Sequence, residues 1–276
     1  MVYAFIYIII VLSLNLVFGF TGLVNLGHMV FFGVGSYSSA LLTLNGIHWY
    51  FALPLAGIIS AVLGAIIAAI TVRLKGDYFQ IVTIGLVFIA VTISRNWTSL
   101  TRGALGLPGI SPIFHNTLSF MIFVGSVSLL SIVFFHWFTR SETGKIFQAI
   151  RDDETAAMIL GKNTYLYKIL SVLVSTFFAG IAGSLFAHYI QFVDPSYFDL
   201  EFFVLILTML IVGGLASIKG SILGAFLVSF FSSAVPFLFG KFNPELIGAL
   251  RQMFFMALIL LILIYRPRGI FGRVDV

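Results

Sequence analysis

The sequence predicts an all-α polytopic membrane protein. It should have about eight to nine transmembrane helices and one short cytoplasmic helix on a loop between two of them. Three observations predict this. First, 60% of the residues are apolar and only 9% are charged, a balance foreign to a soluble domain of this length. Second, apolar runs of crossing length recur from Val2 to Tyr265. Third, charge is concentrated in one stretch. Thr139 to Lys168 carries Arg140, Glu142, Lys145, Arg151, Asp152, Asp153, Glu154, Lys162 and Lys168, out of 15 basic and 10 acidic residues in the chain.

Spans fall near residues 2–18, 29–46, 51–72, 78–94, 117–138, 167–190, 200–215, 219–239 and 247–265. Each is close to the roughly 20 residues that cross about 30 Å of hydrocarbon. Residues 1–276 read as one transmembrane domain, with an external loop at 96–116 and a cytoplasmic loop at 139–166. Without cysteine there is no disulfide framework.

Basic residues set the expected orientation. Met1 leads into an apolar run with no basic leader, which argues against a cleaved signal peptide and for an N-terminus outside. The inner segments then hold Arg73, Lys75, Arg140, Lys145, Arg151, Lys162, Lys168, Lys219, Arg266, Arg268 and Arg273. The outer ones hold only Arg95, Arg102, Lys241 and Arg251. This bias satisfies the positive-inside rule and accounts for the net charge of +5 without nucleic acid. Trp49, Tyr50 and Trp97 mark the outer interface, and Trp137 and Tyr265 the inner one, together with the C-terminal tail from Arg266.

The first interruption is Gly19-Phe-Thr-Gly-Leu-Val-Asn-Leu-Gly-His28. Two readings are open. A discontinuous helix would turn free N–H and C=O groups toward a substrate path, with Gly22, Asn25, Gly27 and His28 beside it. A tight cytoplasmic turn would only join two spans, and His28 would then bond at a helix start. The small residues Gly33, Gly35, Ser36, Ser38, Ser39 and Ala40 that follow read as close helix packing. In Arg73 to Gln80, Asp77 is placed to cap the next helix. Tyr78 is a further candidate polar group for the path, and Gln80 and Thr83 suit helix–helix hydrogen bonds. The outer loop is too rich in Gly and Pro for a regular helix, and its length suits a docking surface or gate.

Within the charged stretch, Asp152 or Asp153 suits an N-cap, Glu154 suits the first turn, and Gly161 suits a left-handed C-terminal cap. Glu154 to Leu160 should be a two-turn helix, too short to stand alone. Later, Val212 to Gly224 forms a second small-residue break that loosely echoes the first. No span core carries an acid, as an ion-coupled carrier would need. No phosphate-binding loop, metal-ligand spacing or Ser/His/Asp arrangement is present, so no catalytic or metal residue is assigned.

Glu154-Thr-Ala-Ala157 with Gly161 resembles the EAA loop of ABC importer permeases. Gly19 to Tyr37, Lys75 to Gly85, Ala149 to Ala157, Gly180 to Tyr189 and Arg266 to Ile270 resemble, in order, the branched-chain amino acid permeases of the LivM type. The resemblance implies a bacterial or archaeal inner-membrane permease for leucine, isoleucine and valine. Its implied partners are a LivH-type permease, an extracytoplasmic binding protein, membrane lipid and two cytoplasmic ATP-binding subunits. ATP would be used by those subunits, leaving no cofactor in this chain. Coupling would run through Glu154, Ala156, Ala157, Met158 and Gly161. By helical spacing Glu154, Ala157, Met158 and Gly161 share one face, and Ala156, Ile159 and Leu160 another. Permeases for urea or short amides use a similar scaffold, and sugar permeases are more distant. A channel or secondary carrier working without ATPases is the reading from another class.

Overall fold

The computed structural model describes residues 1–74, 76–114, 116–239, 244–266 and 268–272. Its helices in chain order are α1 (Val2–Asn15), α2 (His28–Leu44), α3 (Trp49–Thr71), α4 (Asp77–Asn96), α5 (Thr98–Thr101), α6 (Thr117–Phe138), α7 (Glu142–Asp152), α8 (Glu154–Ile159), α9 (Thr164–Ile190), α10 (Leu200–Gly213), α11 (Ile218–Phe239) and α12 (Pro244–Tyr265). Every expected apolar run coincides with a helix. Among the described residues six segments are long and apolar enough to cross a membrane, and the apolar stretches 28–44, 218–232 and 252–262 are shorter. Lys75, Lys241, Pro267 and Arg273 lie outside the described residues, as does the side chain of Arg251.

α1 is apolar on every side, and a helix of that kind belongs in the centre. It is enclosed by α6, α9, α10 and α11. Of its most apolar window, continued through Phe20, 83% is buried, against 22% in α4 and 28% in α6. Those two helices expose Ile81, Ile89, Ile93, Ile122, Leu129 and Leu130, the kind of surface that lipid covers.

Small residues bring α2, α3 and α9 together. A Cβ on Gly35 would overlap the Gly180 backbone, and one on Gly183 would overlap the Phe32 carbonyl. The space this leaves is used by hydrogen bonds. Ser36 Oγ donates to the Gly183 carbonyl at 2.9 Å, and Ser60 Oγ to the Phe31 carbonyl at 3.0 Å. With no hydrophobic drive between helices in lipid, such close contacts and bonds hold the bundle.

At the end of the bundle that holds Met1, two short strands pair antiparallel, β1 (Leu107–Pro108) on β2 (Phe192–Val193). Tyr3 stacks edge-on against Tyr189 at 5.0 Å. His188 Nε2 is 3.0 Å from Ser39 Oγ and its Nδ1 is 2.9 Å from the Ser111 carbonyl, so the long loop is tied to α2 and α9.

Two local expectations are corrected. Asp77 begins α4 but makes no capping bond; Gly76, at φ +53°, takes the cap position. The charged loop also holds more structure than one short helix. α7 precedes it, buries Gly144, Phe147 and Ile150, and is capped by Ser141, whose Oγ accepts from the Gly144 N–H at 3.3 Å. The spacing of Phe147 and Ile150 on one face was the available signal.

Candidate functional site

The first interruption lies at the opposite end from Met1. α1 widens into a π turn at Leu16–Phe20, then the chain runs without helix from Thr21 to Gly27. This stretch climbs back into the bundle. The Leu26 N–H donates to Thr83 Oγ1 at 3.2 Å, and His28 Nε2 is 2.9 Å from Ser13 Oγ. α2 therefore starts level with Ser13, about 10 Å up α1 from Phe20. The discontinuous reading fits this geometry. Irregular backbone at that depth is tolerated because protein covers it. Asn25 and His28 are 3% and 0% exposed. Asn25 Oδ1 accepts from the Gly27 N–H at 3.0 Å, setting the entry to α2. His28 Nδ1 has no partner among the described residues.

The second break meets the first. Asn15 Oδ1 accepts from the Ala216 N–H at 3.0 Å. Its Nδ2 donates to the Ser217 carbonyl at 3.2 Å and to Ser221 Oγ at 2.7 Å. Ala216 sits at φ +55°, left-handed without being glycine, so this contact holds a costly backbone shape. The tail joins in as well, because the Ile270 and Phe271 N–H groups each donate at 3.0 Å to the Val212 and Gly213 carbonyls at the end of α10.

α7 and α8 hang beneath these breaks. Asp153 is the cap of α8, its Oδ1 accepting from the Thr155 and Ala156 N–H groups at 2.8 and 3.0 Å. At the far end Gly161, at φ +75°, lets its own N–H reach the Met158 carbonyl at 2.9 Å and the Lys162 N–H reach the Ala157 carbonyl at 3.2 Å. Those bonds form a Schellman ending. Glu154 pins the helix sideways. Its Oε1 lies 2.6 Å from Lys168 Nζ and accepts from Thr164 Oγ1 at 3.1 Å. Just before α8, Arg151 donates from Nη1 to the Gly19 carbonyl at 3.1 Å, while its Nε and Nη2 hold Asp152. A cavity of about 230 Å³ lies at this junction, lined by Gly22, Gln80, Arg151, Glu154 and Lys168 among others.

The structure divides the residues that the sequence suggests for coupling. Ala157 is 2% exposed and faces the bundle, and Glu154 turns to Lys168. Ala156 and Gly161 are exposed, and Met158, Ile159 and Leu160 form an outward apolar cap. Met158 thus belongs with Ile159 and Leu160, not with Ala157. Of the suggested path residues, Gly22, Asn25, Gly27 and His28 follow one segment, whereas Tyr78 stands apart, 73% exposed on the first turn of α4. The sequence points to no site role for Asn15 or Ser217, and to Arg151 only as one of the inner-side charges. A polar Asn15 inside an apolar run was the signal for the first of them.

The family described as "Branched-chain amino acid transport system / permease component" matches residues 1–263. The high-affinity branched-chain amino acid transport system permease protein LivM of Salmonella typhimurium is 31% identical over 96% of this chain and 67% of its own length. LivM of Escherichia coli is 30% identical over the same shares. LivH of Salmonella typhimurium is 26% identical over 98% of this chain and 92% of its own. No solved structure matches the chain significantly. The matched residues take in both breaks, α7, α8 and all but the last residues of α12, and on that match the chain belongs to the branched-chain amino acid transport permease family.

Proposed function

We propose that this chain is a membrane subunit of an ATP-driven importer for branched-chain amino acids, and that α8 is the element through which cytoplasmic ATP-binding subunits act on it. The observation that carries the proposal is α8 itself. A six-residue helix is too short to persist alone. Here it is capped at both ends, pinned by Lys168, and left with Met158, Ile159 and Leu160 facing outward. A fixed apolar knob on an otherwise charged loop suits insertion into a groove on another protein.

Two further links support transmission. Arg151 joins α7 to the Gly19 carbonyl, and Asn15, one turn back, joins the first break to the second. A displacement of α7 and α8 would therefore reach both interrupted segments, and interrupted helices are what many transporters build their pathways from. Gly22, Asn25, Gly27 and His28, which lie along the first of them, would shape that path. The second permease is proposed to be of the LivH type, whose members align with this chain along nearly its whole length. The binding protein would dock at the end that holds Met1, β1 and β2, outside the cell, with α8 in the cytoplasm.

The test is co-expression with the ATP-binding subunits, purification, and leucine uptake into vesicles with and without internal ATP. Co-purification with ATP-dependent leucine uptake is expected. Co-purification with urea or amide uptake in place of leucine would overturn the substrate. Uptake without any ATP-binding subunit would overturn the coupling role of α8.

A further inference from the structure

The described residues hold a second open cleft at the α7 end, of about 480 Å³, separate from the Gly22 cavity. Its rim carries Arg140, Lys145, Lys219 and His136, from the end of α6, from α7 and from the start of α11. No carboxylate lines it. Arg140, Lys145 and Lys219 are exposed, and none of them forms an ion pair among the described residues. Three cations brought together without an acid repel one another, a cost that an anion between them removes. The cleft floor includes Ala216 and Ser217, directly before α11. The first N–H groups of that 22-residue helix and its dipole also favour negative charge.

The surroundings indicate where the anion comes from. The α6 turn beside the cleft presents Trp137, 81% exposed, and Phe134, 39% exposed. An amphipathic ring at a helix end marks headgroup depth. α11 continues away from the cleft with Leu223, Leu227 and Phe230 exposed. A ligand with a phosphate head and acyl tails would meet cations at the cleft and apolar helix faces beyond it. We infer that this cleft binds the headgroup of an anionic phospholipid, seated against the second break.

The site is unlike an ordinary basic fringe because the α6–α7 corner and the start of α11, far apart in sequence, converge on one concave surface. It also touches the machinery described above. Phe20, the last residue of the π turn, lines the same cleft.

The test uses the full chain in detergent, with bound lipid read by native mass spectrometry. Short-chain phosphatidylglycerol, short-chain phosphatidylcholine and inorganic phosphate are the probes. Phosphatidylglycerol is expected to bind at least about tenfold more tightly than phosphatidylcholine, with inorganic phosphate far weaker than either. Arg140→Gln/Lys145→Gln/Lys219→Gln should remove that preference. A control of equal charge change, Arg95→Gln/Arg102→Gln/Lys162→Gln, should keep it, which separates a site from net charge. Equal binding of the two lipids, or equal loss in both triple variants, overturns the inference. Inorganic phosphate binding as tightly as phosphatidylglycerol makes the cleft a free-anion site and overturns the lipid. If the cleft triple retains its lipid preference but loses the ATP-binding subunits, the cations belong to a protein interface and the inference fails.

Discussion

Glu154 and Lys168 face each other at 2.6 Å, with the lysine side chain 8% and the glutamate 31% exposed. This pair fixes the first turn of α8 to the first turns of α9. Removing one member leaves the other partly buried and unpaired, which costs more than the pair itself contributes. Lys168→Met is expected to destabilise the chain by about 1–3 kcal/mol and to open the α7–α8 region to protease. The double variant Glu154→Gln/Lys168→Met should recover part of that loss, since no orphan charge remains. Melting curves in detergent for the two singles and the double decide it; strictly additive losses would contradict the coupling.

Ile159 and Ala157 sit two residues apart with opposite environments, 81% and 2% exposed. Ile159→Asp/Leu160→Asp should leave accumulation in the membrane unchanged and abolish capture of the ATP-binding subunits. Ala157→Arg should instead lower accumulation of the chain itself, because the new side chain has to displace α8 from the bundle. Pull-down together with membrane yield separates the two effects. Full capture by the first variant would remove the docking role of the apolar cap.

Gly161 has no atom within 4 Å of an added Cβ, so only its left-handed backbone matters. Gly161→Ala is expected to cost about 1 kcal/mol and to keep transport. Gly161→Pro cannot adopt the conformation and also loses the N–H bonded to the Met158 carbonyl. The proline variant should be made normally and transport poorly. Equal uptake by the two variants would show that the shape of the α8 ending is immaterial.

Arg151 reaches Gly19 across 132 residues of sequence, and Asn15 reaches Ala216 across 201. Arg151→Met removes the first link while keeping an unbranched apolar stem in place of the arginine's. It should lower leucine uptake per ATP hydrolysed by about fivefold or more without lowering assembly. Arg151→Lys, still able to donate, should restore part of it, and Asp152→Asn, which spares the Gly19 bond, should change little. Combined with Asn15→Leu, the Arg151→Met defect should be less than additive, since both cut one chain of contacts. Independent, fully additive defects would mean the two links do not act in series.

Gly183 offers a packing test. Gly183→Val drives atoms into the Phe32 carbonyl and should abolish membrane accumulation, whereas Gly85→Ala, with open space around it, should be silent. Accumulation of Gly183→Val at wild-type level would contradict the α2–α9 contact described.

Hydropathy, charge bias and capping signals are local properties of the chain, and they were enough to place every apolar helix, the isolated charged loop and both ends of α8. Asp153, Glu154 and Gly161 could be read because a helix of six residues is bounded by its immediate neighbours. The direction each residue faces could not be read that way. Ala157 turned inward and Met158 outward because α8 is held against α9 by Lys168, and that choice of face is made by a residue outside the helix. The role of Asn15 was hidden for the same reason, since its three bonds are all to residues more than 200 positions away. The basic cleft likewise exists only where α6, α7 and α11 meet. Local sequence determined which segments cross the bundle and where they break. Packing decided which breaks touch, because only a folded bundle brings the backbone groups left free by an interruption within hydrogen-bond reach of distant side chains such as Asn15 and Arg151.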